Sequence, residues 1–137
     1  MKTVQHRPIR AAIRTLVFAG MFAAGSIATA APALAAWDSI AVDDDMSTNG
    51  GDAGYGVASG DSKAEAEAGA LKNCKSQGNT GCKVEVSYKD QCGAYASSRK
   101  HAGQGVGASK ADASHKALAV CGDGACKVVV ADCVGAD

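Results

Sequence analysis

The stretch SKAEAEAGALKNCKSQGNTGC, residues 62–82, followed by Lys83-Val84-Glu85-Val86, decides how this chain is read. It returns as SKADASHKALAVCGDGAC, residues 109–126, followed by Lys127-Val128-Val129-Val130. Each copy opens with Ser-Lys-Ala and an acid in the fourth place. Leu71 and Leu118 share a slot, as do Cys74 and Cys121. Ser62 with Glu65 has the spacing of a capping box, and Ser109 with Asp112 repeats it with a shorter acid. The residues that follow are good helix formers without proline. Residues 64, 68, 71 and 74, and in the second copy 111, 114, 118 and 121, fall on one helical face. Glycines then break each helix, and a second cysteine precedes a strand.

After Cys82, Val84, Val86 and Tyr88 alternate with Lys83, Glu85 and Ser87, the pattern of a half-buried strand. After Cys126, Val129 fills the outer face as well, which predicts a more central strand or one covered on both sides. Upstream, 37–42 and 55–59 read as two strands of the first copy. Residues 92–97 and 103–108 take their places in the second. The expected architecture is α+β: two tandem strand-strand-helix-strand repeats, 37–91 and 92–137, forming one small sheet with two helices on one face and stapled by disulfides.

Residues 1–36 carry Lys2, Arg7, Arg10 and Arg14, then an apolar stretch 16–30 and an Ala33-Leu34-Ala35 site. This is the pattern of a cleaved signal peptide, with an uncleaved anchor as the alternative. It predicts export to the periplasm or outside the cell, with no membrane span in the mature form. Four of the 14 basic residues lie in that leader and all 14 acids lie beyond it, which leaves the remainder at net −4. A mildly acidic domain without a basic stripe argues against nucleic acid as a partner. Both phenylalanines also lie in the leader. The remaining core is thin, and it predicts dependence on cross-links.

Six cysteines, all beyond the leader, supply them. The repeat pairs Cys74 with Cys82 and Cys121 with Cys126, each tying a helix end to the next strand. Cys92 and Cys133 remain, both after a Lys-Val strand, and are expected to join the halves. A metal site is the rival, but neither half has C-x-x-C, and His101 and His115 lack zinc-ligand spacing.

Other patterns are weaker. Gly103-x-Gly105-x-x-Ala108 looks like a dinucleotide fingerprint without its βαβ context, and reads better as a tightly packed strand. Asp43, Asp45 and Asp52 do not match a calcium loop. No G-x-S-x-G elbow frames a serine. No cofactor is expected. The residues as they stand do not reveal an activity.

Trp37-Asp-Ser-Ile-Ala, Gly56, Ser62, Ala70-Leu71-x-x-Cys74, Cys82-Lys-Val and Cys92-Gly-Ala-Tyr-Ala form an ordered series, closed by Ala117-Leu118, Cys121 and Cys126. In this series the chain resembles the secreted bacterial family called domain of unknown function 4189. It departs from that pattern at Asp38, where a small residue is expected, and at Tyr95, where a small aliphatic is usual. The resemblance implies an exported protein and carries over no catalytic residue. The favoured reading is a non-enzymatic binding or interaction module whose partner is a protein or the cell envelope. Its contact surface is expected on the sheet face away from the helices, or on loops 43–52 and 99–105, with Tyr55, Tyr95, Arg99 and His101 as interaction residues. The alternatives are an inhibitor or immunity-type protein and, less favoured, a small hydrolase using His101 or His115.

Overall fold

The structure is a computed structural model that describes residues 36–46 and 52–135. The expected leader lies outside the described residues except for Ala36. The elements run β1 (Trp37–Asp43), β2 (Gly54–Gly60), α1 (Lys63–Ser76), β3 (Lys83–Lys89), β4 (Cys92–Ser97), β5 (Ala102–Gly107), α2 (Lys110–Cys121) and β6 (Lys127–Cys133). Each half is therefore strand, strand, helix, strand, as the repeat predicts.

Local chemistry accounts for the helix starts. The Ser62 hydroxyl accepts the Glu65 N–H, and the Glu65 carboxylate accepts the Ser62 N–H, a closed capping box. In α2 the Ser109 hydroxyl accepts the Asp112 N–H, but the shorter Asp112 carboxylate turns to the Ala108 N–H instead. The helix ends differ. Gly122 closes α2 in the left-handed conformation (φ 68°), while α1 is closed by Gln77 and by the Asn79 amide donating to the Cys74 carbonyl.

The six strands form two antiparallel sheets, β2-β1-β3 and β5-β4-β6, rather than one. Both centres are apolar on two faces, so each sheet needs cover on both sides. Ile40, Val42, Val86 and Tyr88 of the first sheet meet Tyr95 and Val130 of the second in the main core. On the reverse faces Ala41 packs with Ala70 and Cys74 of α1. Cys92, Ala94 and Ala96 pack with Ala113, Ala117 and Cys121 of α2. The layers are thus helix, sheet, sheet, helix, and the two helices do not share a face. Single sheets with both helices together would leave one apolar face in water. Burying a large core side chain such as Ile40 contributes about 1.5–3 kcal/mol.

The buried helix face is 66, 70 and 74, and 113, 117 and 121, all alanine or cysteine. It is shifted from the face expected at 64, 68 and 71, which leaves Leu118 36% exposed. The cause lies in the strands. A Cβ at Gly56 would stand 2.2 Å from Cys74 N, and one at Gly103 2.3 Å from Cys121 N. Helix and strand backbones touch there, so only the smallest side chains fit between them.

Both central strands carry the same irregularity. Pairing slips between Ile40 and Ala41 against β3, and between Tyr95 and Ala96 against β6. The slip places one extra residue, Glu85 or Val129, in the outer strand. It sets Val86 opposite Ile40 on the core side but Val84 opposite Ala41 on the helix side, so the simple alternation expected of β3 is broken. Val129, which suggested a strand either more central or covered on both sides, is the bulge residue of β6, an edge strand that packs Val130 into the main core and Ala131 and Cys133 against the α2 cluster.

Three disulfides join Cys74 to Cys82, Cys121 to Cys126 and Cys92 to Cys133. The sequence predicts that the last joins the halves, and it does not. Cys92 and Cys133 are directly opposite each other on β4 and β6, so this bridge lies within the second sheet.

Candidate functional site

A cavity of about 830 Å³ opens where β2, β6 and the β4–β5 turn meet. Tyr55, Ser97, Arg99, Lys100, Lys127 and Val128 are among its walls. The two halves differ around it. Ile40 and Tyr95 hold equivalent places, each just before the bulge of its central strand. Tyr95 crosses the core and donates to Asp44 Oδ2 at 2.5 Å, just past the end of β1. Ile40 has no ring or hydroxyl with which to make such a bond. Ser97 stands where the first half has Val42, a loss of apolar bulk at the cavity wall.

The open side also differs in charge. Arg99 and Lys100 replace Asp44 and Asp45 of the first half. With Lys127 they bring three cations to the cavity, none of them in an ion pair among the described residues. Asp52 and Asp123 are the acids of the wall. Asp123 is engaged: its carboxylate accepts the Ala125 N–H at 3.1 Å and the Ser98 hydroxyl at 3.1 Å. The Ala125 bond, then the Ser98 bond, hold its pKa below the ordinary carboxylate value, with a smaller push from the His101 charge. Ser97 is 5% exposed, and its hydroxyl has no hydrogen-bond partner among the described residues.

On the closed side, burial pushes the Tyr95 phenol well above its usual pKa, and its bond to Asp44 pushes further. Tyr88 is raised for the same first reason, aided by the charges of Asp132 and Asp38. Glu85 is raised by burial, against the lowering effect of its 3.3 Å bond from Gln104.

The residues expected to form an interaction surface separate. Tyr55, 40% exposed, and Arg99 both line the cavity. Tyr95 does not belong to a surface, because β4 is a central strand and its ring is buried between the sheets at 1% exposure. The sheet faces away from the helices are likewise buried against each other, which removes them as a contact surface. His101 is exposed on the β4–β5 turn but does not line the cavity. His115 is on α2. Asp43, expected in a solvated loop, ends β1 as a buried residue whose carboxylate accepts the Asp45, Thr80 and Gly81 N–H groups. Gly103 and Gly105 face the α2 backbone as packing contacts. Among the described residues, no group of three or more His, Cys, Asp or Glu is placed to hold a metal ion. No helix there is long and apolar enough to cross a membrane.

Ser97, Lys127 and Val128 were missed in the sequence. The signal was present in the repeat. Aligning 37–43 with 92–98 sets Val42 against Ser97, a polar residue in a core slot.

Fold and cavity together define a small disulfide-stapled α+β domain made of two like halves. The chain belongs to the family described as Domain of unknown function (DUF4189), which matches residues 37–133. No curated protein and no solved structure matches it.

Proposed function

We propose that this protein is an exported, non-enzymatic binding module whose contact site is the cavity beside Tyr55 and Val128. One observation carries the reading. Of four exposed large apolar side chains among the described residues, Tyr55, Leu118, Val120 and Val128, two line this one cavity. A mostly apolar concavity with a few polar groups is the usual form of a ligand site. The three disulfides support export, since such bonds persist in oxidising compartments.

A small hydrolase is a second reading because Ser98, Asp123 and His101 meet at the β4–β5 turn. Their geometry supports it poorly. The Ser98 hydroxyl donates straight to the carboxylate and accepts the Lys100 and His101 N–H groups. A serine nucleophile needs a base between it and the acid, and the imidazole makes no hydrogen bond among the described residues.

A photo-cross-linking residue placed at position 128, and a control at position 120 on α2, test the proposal in the native envelope. Adducts specific to position 128 are expected. Equal labelling from both positions, or none from position 128, sinks it.

A further inference from the structure

We infer that the cavity selects an amphiphilic monoanion, with its apolar body against Tyr55 and Val128 and its carboxylate or sulfonate head among Arg99, Lys100 and Lys127. The inference rests on the binding reading above and adds the chemistry of the ligand. Two observations converge. First, the chain beyond its leader is net acidic, yet three cations without ion pairs among the described residues gather at this cavity. Second, Arg99 and Lys100 stand where the first half has Asp44 and Asp45, so charge has reversed on the side that is also open.

The apolar walls set the other half of the specificity. Tyr55 and Val128 remain 40% and 38% exposed, and a ligand's hydrocarbon would cover them. Asp52 limits the charge. Its carboxylate lies in the same wall, so each further negative charge on the ligand meets repulsion. Asp123 is occupied by Ser98 and Ala125 and competes less for the cations. A single anionic head on an apolar body fits all of these contacts. A neutral hydrocarbon leaves the cations idle, and a polyphosphate meets Asp52 and has nothing to cover Tyr55.

Paired fluorescence titrations of the full, oxidised protein test this, one with anilinonaphthalene sulfonate and one with neutral phenylnaphthylamine. The anion is expected to bind at one site and to be displaced by octanoate but not by octanol. Arg99→Ser and Lys127→Gln should each weaken it about fivefold, a moderate value for a charge-assisted contact near solvent. The neutral probe should change less than about twofold, because its burial is unaffected. Each variant is checked for three intact disulfides and an unchanged melting temperature. Equal binding of both probes with no effect of the charge variants overturns the anion preference, while leaving the cavity a binding site. Failure of the anionic probe to bind overturns the inference altogether. The proposed binding role is then still decided separately by cross-linking from position 128.

Discussion

The two halves of this domain keep the same backbone and exchange what fills it. Gly56 and Gly103 meet the same atoms of their helices, and both central strands bulge at the same place. The side chains at matched slots are another matter. Trp37 lies opposite Lys89 where the second half has Cys92 opposite Cys133. In the first half the strand-end residue Asp43 gathers the N–H groups of the α1–β3 loop. In the second half the carboxylate has moved to the loop, and Asp123 takes the hydroxyl of the strand-end Ser98. Helix–strand contact and bulge are steric demands with few solutions. A staple between two adjacent segments can be a covalent bond or a carboxylate on either partner. The halves diverge where physics allows substitutes, and the residues around the cavity, Ser97, Arg99 and Lys100, are among those that differ.

The largest effect should come from the staple that only one half possesses. Cys92→Ser with Cys133→Ser opens a loop of 41 residues and should cost about 4 kcal/mol by loop entropy, as an upper value. Opening Cys121–Cys126, with a separation of 5, should cost about 2 kcal/mol on the same basis. Urea denaturation of the oxidised variants measures both. If the slots are equivalent, the bond can be moved. Trp37→Cys with Lys89→Cys, added to the opened variant, should form a bridge across β1 and β3 and recover part of the loss. Free thiols at both positions under oxidising conditions, seen by mass spectrometry, would break the equivalence.

How much of this was legible beforehand follows from the same division. Helix caps, strand limits and the local cysteine pairs depend on neighbours in sequence, so the repeat exposed them. The single sheet and the shared helix face were wrong because they depend on which faces meet. Ile40 and Ala41 are both apolar, and adjacent residues on a strand point to opposite sides, so the choice between one sheet and two rests on long-range packing. The inserted bulge residue was invisible for a similar reason. Glu85 completes a clean alternation on paper, and only pairing with β1 shows that Val84 and Val86 face opposite ways. Arg99 and Tyr55 were singled out by type. Ser97 needed the halves to be compared slot by slot.

A middle-sized effect tests whether the halves solve one steric problem from opposite sides. Ala58 on β2 faces Gly69 on α1, and a Cβ at Gly69 would stand 2.7 Å from the Ala58 Cβ. In the second half the glycine is on the strand, Gly105, and the helix carries Lys116 at a distance of 2.9 Å from the added Cβ. Gly69→Ala should therefore destabilise by roughly 1–2 kcal/mol despite alanine's better helix propensity, because overpacking outweighs the gain of about 1 kcal/mol. Adding Ala58→Gly reproduces the arrangement of the second half and should recover most of the loss. A double variant no better than Gly69→Ala, measured by thermal unfolding, would show that the two seams are not interchangeable.

The smallest effect concerns the bulge residue itself. Glu85 and Val129 hold the same slot, but the carboxylate is partly desolvated beside Asp44, so its pKa in the folded protein lies above the ordinary 4.5. The folded state then holds the Glu85 proton more tightly than the unfolded chain does. Between 4.5 and the raised value the native state carries more protons, so stability from this site falls as pH rises through that window. Below the window both states are protonated and the site is neutral in its effect. Glu85→Gln keeps an acceptor for Gln104 and removes the charge. It should be more stable than the parent at pH 7 by at most about 0.5 kcal/mol, since the group is largely solvated, and equal to it below the window. Melting curves across pH separate this from a general gain. A stabilisation that persists unchanged into acid would mean that the benefit came from packing, and that Glu85 tolerates its slot as well as Val129 does.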